Sequence, residues 1–281
     1  MLYVYILLIL ILLVASFLYW QNNSIVITKM NYTNVKIPNS FNNFKILQIS
    51  DFHNKKFGRN NEKIINKITK EKPDVIFITG DTIDCHHTDT LTAYSFINSV
   101  SKIAPTYLIS GNHEHTIESY KDFIDNYEKN GAVVLEDKIT HLEKGEDKIT
   151  LVGIKDFKEA WISKLSDEAK KEFDKRLKKL LYKFDKNEFR ILLSHRPELI
   201  DVYQKYKPDL VFTGHAHGGQ FRFLFIKGFM APGQGFFPKY TAGRYDKENV
   251  TMIVSRGLGN SVIPFRIFNR PELVVVNLKN R

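Results

Sequence analysis

The sequence predicts an α/β fold, and three observations carry that expectation. Apolar runs of strand length recur along the chain, segments of helical period separate several of them, and Asp, His and Asn residues cluster just past the runs. The runs are Phe44–Ile49, Val75–Thr79, Thr106–Ile109, Ile149–Ile154, Arg190–Leu193 and Leu210–Thr213, followed by Thr251–Val254 and Leu273–Leu278. Ser24 to Ile37 alternates loosely and also suggests strands. Helical spacing marks Asn61–Lys70, Leu91–Ile103 and Ser119–Lys129. The longest helix candidate is Ser166–Phe184, where Ala169, Phe173, Leu177, Leu180, Leu181 and Phe184 recur at three- and four-residue steps. Asp167 and Glu168 near its start suit the positive end of the helix dipole. Strands alternating with helices imply largely parallel strand connections.

The amino terminus is of another kind. Leu2 to Trp20 contains neither a charge nor a glycine, and a helix of that length rises roughly 28 Å, close to the hydrocarbon thickness of a bilayer. Tyr3, Tyr5, Tyr19 and Trp20 sit near its ends, where amphipathic rings prefer the interface. No Lys or Arg precedes the run, and Ala15-Ser16-Phe17 is a poor cleavage site, so an uncleaved anchor fits better than a signal peptide. The expected organisation is a transmembrane anchor over 1–21 and one catalytic domain over 22–281, in a single-pass protein of the cell membrane. Lys29, Lys36 and Lys45 would nominally hold the domain in the cytoplasm, but large domains translocate largely regardless of charge.

Composition narrows the chemistry. The 281 residues, 43% hydrophobic and 26% charged, have the balance of a globular enzyme. Cys85 is the only cysteine, so an intramolecular disulfide and a multi-cysteine zinc site are excluded, and any metal must be bound through His and oxygen ligands. A net charge of +10 suits anionic substrates or an anionic lipid surface, or simply a solvated lysine-rich exterior. No nucleic-acid module is recognisable, and no obligate protein partner is implied.

The polar clusters follow the runs in order. Asp51-Phe52-His53 follows the first, Gly80-Asp81-Thr82-Ile83-Asp84 the second and Gly111-Asn112-His113-Glu114 the third. His195 follows Arg190–Leu193, and Gly214-His215-Ala216-His217 follows Leu210–Thr213. Carboxyl ends of parallel strands converge on one edge, so residues far apart in sequence can meet there. Two hard or borderline divalent cations call for carboxylate oxygens mixed with imidazole nitrogens. Asp51 and His53, two residues apart, can reach one ion. His215 and His217 share that spacing and can serve one ion each, Asp81 can bridge two, and the Asn112 amide is a neutral ligand that limits negative charge. His86, His87, His115 and His141 are expected at solvent or supporting positions.

Together, D-x-H, G-D-x-x-D, G-N-H-E, a lone His and G-H-x-H resemble the signature of calcineurin-like metallophosphoesterases, over about Phe44 to Gln220. That resemblance implies a four-layer sandwich of two β-sheets flanked by helices. It also implies that Asp51, His53 and His217 hold a first metal, that Asn112, His195 and His215 hold a second, and that Asp81 bridges them. His113 matches the catalytic histidine and Asp84 the acid that orients it. Manganese is the foremost metal, with iron and zinc as alternatives. The stretches His215–Gln220 and Ser255–Glu272 are similar to a bacterial membrane-associated branch grouped with UDP-2,3-diacylglucosamine hydrolases, which inclines the domain to the extracytoplasmic side. Cys85 stands where protein-phosphatase relatives carry Arg, and Ala216 where this branch often has a hydroxyl residue.

The expected reaction is in-line displacement at phosphorus by water activated between the two ions, with His113 protonating the leaving oxygen. Phe221, Phe223, Phe225, Phe229, Phe236, Phe237 and Tyr240 follow the last motif, with Arg222, Lys227 and Lys239 among them. They either form a strand with one buried face or receive the acyl chain and anionic head of a lipid-linked phosphodiester. The alternative to an enzyme is a non-catalytic metal-binding scaffold at the membrane. An amide- or lactam-directed metallohydrolase lacks its motifs here.

Overall fold

A computed structural model describes residues 1–157, 165–182, 187–223, 225–260 and 263–281. Its first half contains helix α1 (Leu2–Asn23), then strands β1 (Val26–Thr33), β2 (Lys45–Ile49), β3 (Val75–Thr79), β4 (Thr106–Ile109), β5 (Ala132–Val134), β6 (Lys138–Lys144) and β7 (Asp147–Gly153). Helices α2 (Glu62–Glu71), α3 (Thr90–Ser101) and α4 (Tyr120–Lys129) alternate with the middle strands. The second half adds α5 (Asp167–Leu181), β8 (Arg190–Leu193), α6 (Ile200–Tyr206) and β9 (Leu210–Thr213). A small hairpin of β10 (Met230–Ala231) and β11 (Gly235–Phe236) precedes β12 (Gly243–Lys247), β13 (Val250–Val254) and β14 (Glu272–Lys279).

Two six-stranded sheets result, ordered β1-β14-β2-β3-β4-β5 and β12-β13-β9-β8-β7-β6. Within them, β2 to β5 run parallel to one another, as do β13, β9, β8 and β7. Antiparallel pairing occurs where β14 meets β2 and at the edges formed by β6 and β12. The sheets face each other across a core of Ile46, Phe77, Ile191, Phe212 and Val276. The outer face of the first sheet is covered by α2, α3 and α4 through Ile64, Phe96 and Tyr127, and that of the second by α5 and α6 through Phe173, Leu177 and Tyr203. The order of layers is therefore helix, sheet, sheet, helix. Every residue of β3 is buried because both of its faces are covered, and each such large side chain contributes about 1.5–3 kcal/mol.

Local chemistry sets the helix limits. Ser166 Oγ accepts from the Ala169 N–H and caps α5, whose acidic first turn and Lys178–Lys179 last turn both suit the dipole. Asp89 caps α3 in the same way through the Thr92 N–H.

Most expected elements lie within a residue or two of their sequence positions, with some differences. The α5 helix ends at Leu181, and Phe184 lies outside the described residues. Ser24–Ile37 contains a single strand, β1, which pairs with the far end of the chain. Strands β5, β6 and β12 and helix α6 were not anticipated, being short or at sheet edges where packing rather than local pattern decides. Of the expected Phe221–Phe225 strand, residue 224 lies outside the described residues; among the described ones, Phe221 bridges to Ile267 and Phe223 to Ile226 as isolated pairs.

Candidate dimetal centre

Because β2, β3 and β4 of one sheet and β8, β9 and β13 of the other end on the same edge, their following loops face one another. Asp51, His53, Asp81, Asn112, His113, His195, His215 and His217 are all buried there. Asp51, His53, Asp81, His215 and His217 also have positive φ, between 47° and 63°. This left-handed region costs an L-residue roughly 1–2 kcal/mol and is entered when surrounding structure demands it. Gly80, with φ of 90°, allows the close approach: a Cβ there would meet the Gly111 nitrogen at 2.6 Å.

Three groups of potential ligand atoms form among the described residues; one is His53, Asp84 and His113, and the other two share a residue. Asp51, His53, Asp81 and His217 place theirs within 4.8 Å of one another, and so do Asp81, His195 and His215. Asp81 belongs to both. Its Oδ2 lies 3.1 Å from His195 Nε2 and 3.7 Å from His53 Nε2. His53 Nε2 and His217 Nε2 face each other at 3.2 Å, as do His215 Nδ1 and His195 Nε2. Asp51 Oδ2 and Asn112 Oδ1 are buried without a hydrogen-bond partner among the described residues. Opposed nitrogens and orphaned acceptor oxygens in a dry site fit divalent cations, because lone pairs converge where few protons are available.

Supporting bonds orient these groups. His195 Nδ1 donates to the Thr79 carbonyl at 2.7 Å, which leaves Nε2 as the lone-pair nitrogen aimed at Asp81. Asp51 Oδ1 accepts from the His215 N–H at 2.9 Å, and Asp81 Oδ1 from the His113 N–H at 3.0 Å. The free oxygen of each carboxylate is thereby turned inward. Gln48, buried between the sheets, donates to Thr79 Oγ1 and the Thr213 carbonyl and ties β3 to β9 beside the site.

Protonation follows the same geometry. Burial, with neighbouring His113, keeps His53 well below the usual histidine range; burial, Arg196 and His195 do so for His215. Burial and Arg266 hold His217 down at about 3. Neutral imidazole is the form that ligates metal. Burial opposes the Asp81 charge, but His195, His113 and His53 keep it ionised well below the carboxylate range. Burial likewise opposes a charge on His195 and His113. Asp81 nonetheless raises them to about 10 and, together with Cys85, about 9 in the metal-free site.

His113 faces this centre with Nε2, 3.9 Å from Asp81 Oδ2. The Cys85 backbone N–H donates to His113 Nδ1 at 3.0 Å, whereas Asp84 Oδ1 stands 3.9 Å from that nitrogen and accepts from the His86 N–H. In the neutral ring the proton is then on Nε2. Asp84 Oδ1, at 3.9 Å, forms an ion pair with the ring only when the ring is charged. A cleft of about 830 Å³ opens beside these residues, lined by His53, Lys55, Lys56, Asp84, His86 and Asn260. Lys55 has no acidic partner among the described residues, while Lys56 lies 3.6 Å from Asp89. Burial and Arg266 hold the Lys55 ammonium down at about 8.

Several residues were not singled out in the sequence. Glu114 is fully buried and accepts from the N–H groups of Asp81, Thr82 and Gly111 at 2.6–3.0 Å, locking two ligand loops together. Arg196 pairs with Asp156 at 2.7 Å and reaches His215 Nε2 at 3.4 Å. Arg266 is buried beside His217, donates to the Arg256 and Asn269 carbonyls and contacts the Gly259 carbonyl; Asn269 Nδ2 donates to the His217 carbonyl at 2.7 Å. Glu114 and Arg196 adjoin motif residues, and that adjacency was the available signal. Among the remaining histidines, His86 and His87 line the cleft, and His115 stacks on Tyr120 and contacts Ser110 Oγ. His141 lies on β6 beside Thr150.

Residues 44–219 match the calcineurin-like phosphoesterase family model. The chain belongs to that family. Metallophosphoesterases of this family are hydrolases of phosphoester bonds that bind two divalent metals, and the paired ligand groups provide a candidate place for both. The chain is 29% identical to the metallophosphoesterase Cj0846 of Campylobacter jejuni, over 92% of its own length and 66% of the relative's. It is 27% identical to the phosphodiesterase YaeI of Escherichia coli, over 84% and 82%. Among solved structures, TT1561 of Thermus thermophilus is alike in fold, with a TM-score of 0.51 and 15% identity over 76% of this chain and 89% of that one.

Proposed function

We propose that this metallophosphoesterase is a membrane-anchored phosphodiesterase. Asp51, His53 and His217 would hold one divalent cation and Asn112, His195 and His215 a second, with Asp81 shared between them. The observation that carries this reading is the membership of Asp81 in both ligand groups, with a single oxygen, Oδ2, facing His53 and His195. Manganese is the metal to try first, followed by iron and zinc. When bound, two such cations supply Lewis acidity that acidifies water and neutralises charge developing on phosphoryl oxygens.

The side chains supply the rest. His195, tied to the Thr79 carbonyl, and Asp51, tied to the His215 backbone, hold their donor atoms still, so little reorganisation accompanies reaction. His113 carries a proton on Nε2 at the centre's rim and delivers it to the leaving oxygen. Asp84 steadies the ring once it is charged. Lys55 offers an unpaired cation to a second anionic group of the substrate in the cleft.

The name of YaeI supports diester hydrolysis, and α1, whose apolar length suffices to cross a bilayer, supports an anchor. Phenylalanines beyond the last metal motif favour a lipid-linked diester, of the UDP-2,3-diacylglucosamine or phospholipid kind. The test uses the full chain in detergent micelles, with metal analysis and assays on aryl phosphomonoesters, aryl phosphodiesters and lipid-linked diesters. About two metals per chain with chelator-sensitive diester hydrolysis is expected. A chain that loads metal and hydrolyses none of these is a scaffold instead.

A further inference from the structure

The junction between α1 and the catalytic domain is short and rigid. Only Ser24 and Ile25 separate α1 from β1, and Ile25 is in the core. Gln21 and Asn22, in the last turn of α1, are buried. Arg270 donates from Nε to the Ser24 carbonyl at 2.9 Å and from Nη2 to Ser24 Oγ at 2.6 Å, and its guanidinium lies 4.7 Å from the centre of the Trp20 ring. The helix axis therefore fixes which face of the domain meets the membrane.

That face is aromatic. The Phe17 ring of α1 lies 5.5 Å from that of Phe268, which lies 6.3 Å from that of Phe223. Phe225 is 97% exposed and Phe268 58%. Among the described residues, every phenylalanine exposed to this degree or nearly so falls between 223 and 268, although the chain has 21 phenylalanines in all. The same stretch reaches the metal ligands. Gly257 and Gly259 pack against Asp51 and His53, and Arg266 and Asn269 hold His217. Exposed aromatic rings gathered beside an apolar helix of spanning length are the arrangement that settles at headgroup level, and the Lys and Arg excess suits anionic lipids.

We infer that the metal-site edge of the domain lies on the bilayer crossed by α1, with Phe223, Phe225 and Phe268 inserted among the lipid headgroups beside the candidate dimetal centre. This rests on α1 being a membrane anchor, and it needs no activity to be tested. The occupant of the aromatic face is the lipid surface, and the phosphoester it presents is that of a membrane-resident molecule.

The experiment places a tryptophan at position 225 or 268 (F225W, F268W) in the full chain. The variants are reconstituted in phosphatidylcholine vesicles containing a minority of phosphatidylglycerol, with bromine carried on the lipid near the headgroup. The V35W and Y182W variants, at exposed positions away from both the aromatic stretch and the metal-site edge, serve as references, and the wild-type signal is subtracted. Quenching of F225W and F268W is expected to exceed that of the references by about twofold or more, as for rings held at the interface. Alkaline carbonate extraction of the same vesicles reports the anchor separately. A chain retained by the vesicles but quenched no more at 225 and 268 than at 35 and 182 overturns this inference alone, including when a protein partner or a second copy covers the face. A chain released by carbonate overturns the anchor reading and this inference with it.

Discussion

The two sheets contribute unlike halves to the metal centre. The first sheet supplies Asp51, Asp81 and Asn112, the candidate oxygen ligands, together with His53, on loops laced together by backbone N–H groups donating to carboxylates, above all Glu114. The second supplies His195, His215 and His217. Arg196 stands beside His215 and Arg266 beside His217, and with burial these cations favour the neutral rings. One half thus carries the carboxylates, and in the other His215 and His217 are held neutral beside cations while Asp81 favours a charge on His195. A site that must hold cations and still admit an anionic phosphate needs both, since oxygen ligands alone would repel the substrate and imidazoles alone would bind hard cations weakly.

Breaking the shared element should have the largest effect. Asp81→Ala removes the one residue common to both groups, and kcat/KM is expected to fall by about a thousandfold or more, with metal content dropping below two per chain. Plasma emission analysis beside a steady-state assay checks both, and retention of two metals would remove Asp81 from the bridging position. Next is His113→Ala, which removes none of the proposed metal ligands. Its kcat should fall about 10²–10⁴-fold on diesters with poor leaving groups and much less on aryl diesters, with metal content kept. Equal losses on both substrates would argue against proton delivery to the leaving oxygen.

Supporting residues of the imidazole half come third. Asn269→Ala frees the His217 backbone, and metal affinity should weaken by about 10–100-fold, as for other orienting partners. A chelator-competition titration measures this, and an unchanged affinity would assign Asn269 to loop stability only. The smallest expected effect is that of Lys55→Ala in the cleft, a several-fold rise in KM, on the order of 1 kcal/mol, with kcat nearly unchanged. A rise confined to substrates with a second anionic group would sharpen the assignment, and an unchanged KM for all of them would refute it.

Legibility differed between the halves as well. The ligand positions were readable because each follows a strand buried on both faces, and such strands appear as unbroken apolar runs such as Val75–Thr79 and Leu210–Thr213. Glu114 stood within the G-N-H-E motif without a mark of its role, and Arg196, Arg266 and Asn269 had no comparable local mark. Their partners lie across loops or across the chain, as with Asn269 and His217, and no short pattern records a contact of that range. The Phe221–Phe225 alternation was ambiguous for a related reason. Period-two spacing describes a half-buried strand, yet among the described residues here only isolated bridges form, and Phe225 is exposed.

By itself the sequence determined the α/β class, the order of the central strands along the chain, the apolar helix at the amino terminus and the donor types gathered past the strand ends. These are properties of local periodicity and composition, which each segment carries wherever it goes. Only the tertiary structure decided which strands fall in each of the two sheets and that β14 inserts between β1 and β2. It also decided that Asp81 points one oxygen at both groups and that the aromatic stretch lies beside the end of α1. Those depend on pairing between segments up to 250 or so residues apart, where the stabilising burial belongs to the assembled sheets and not to any segment alone.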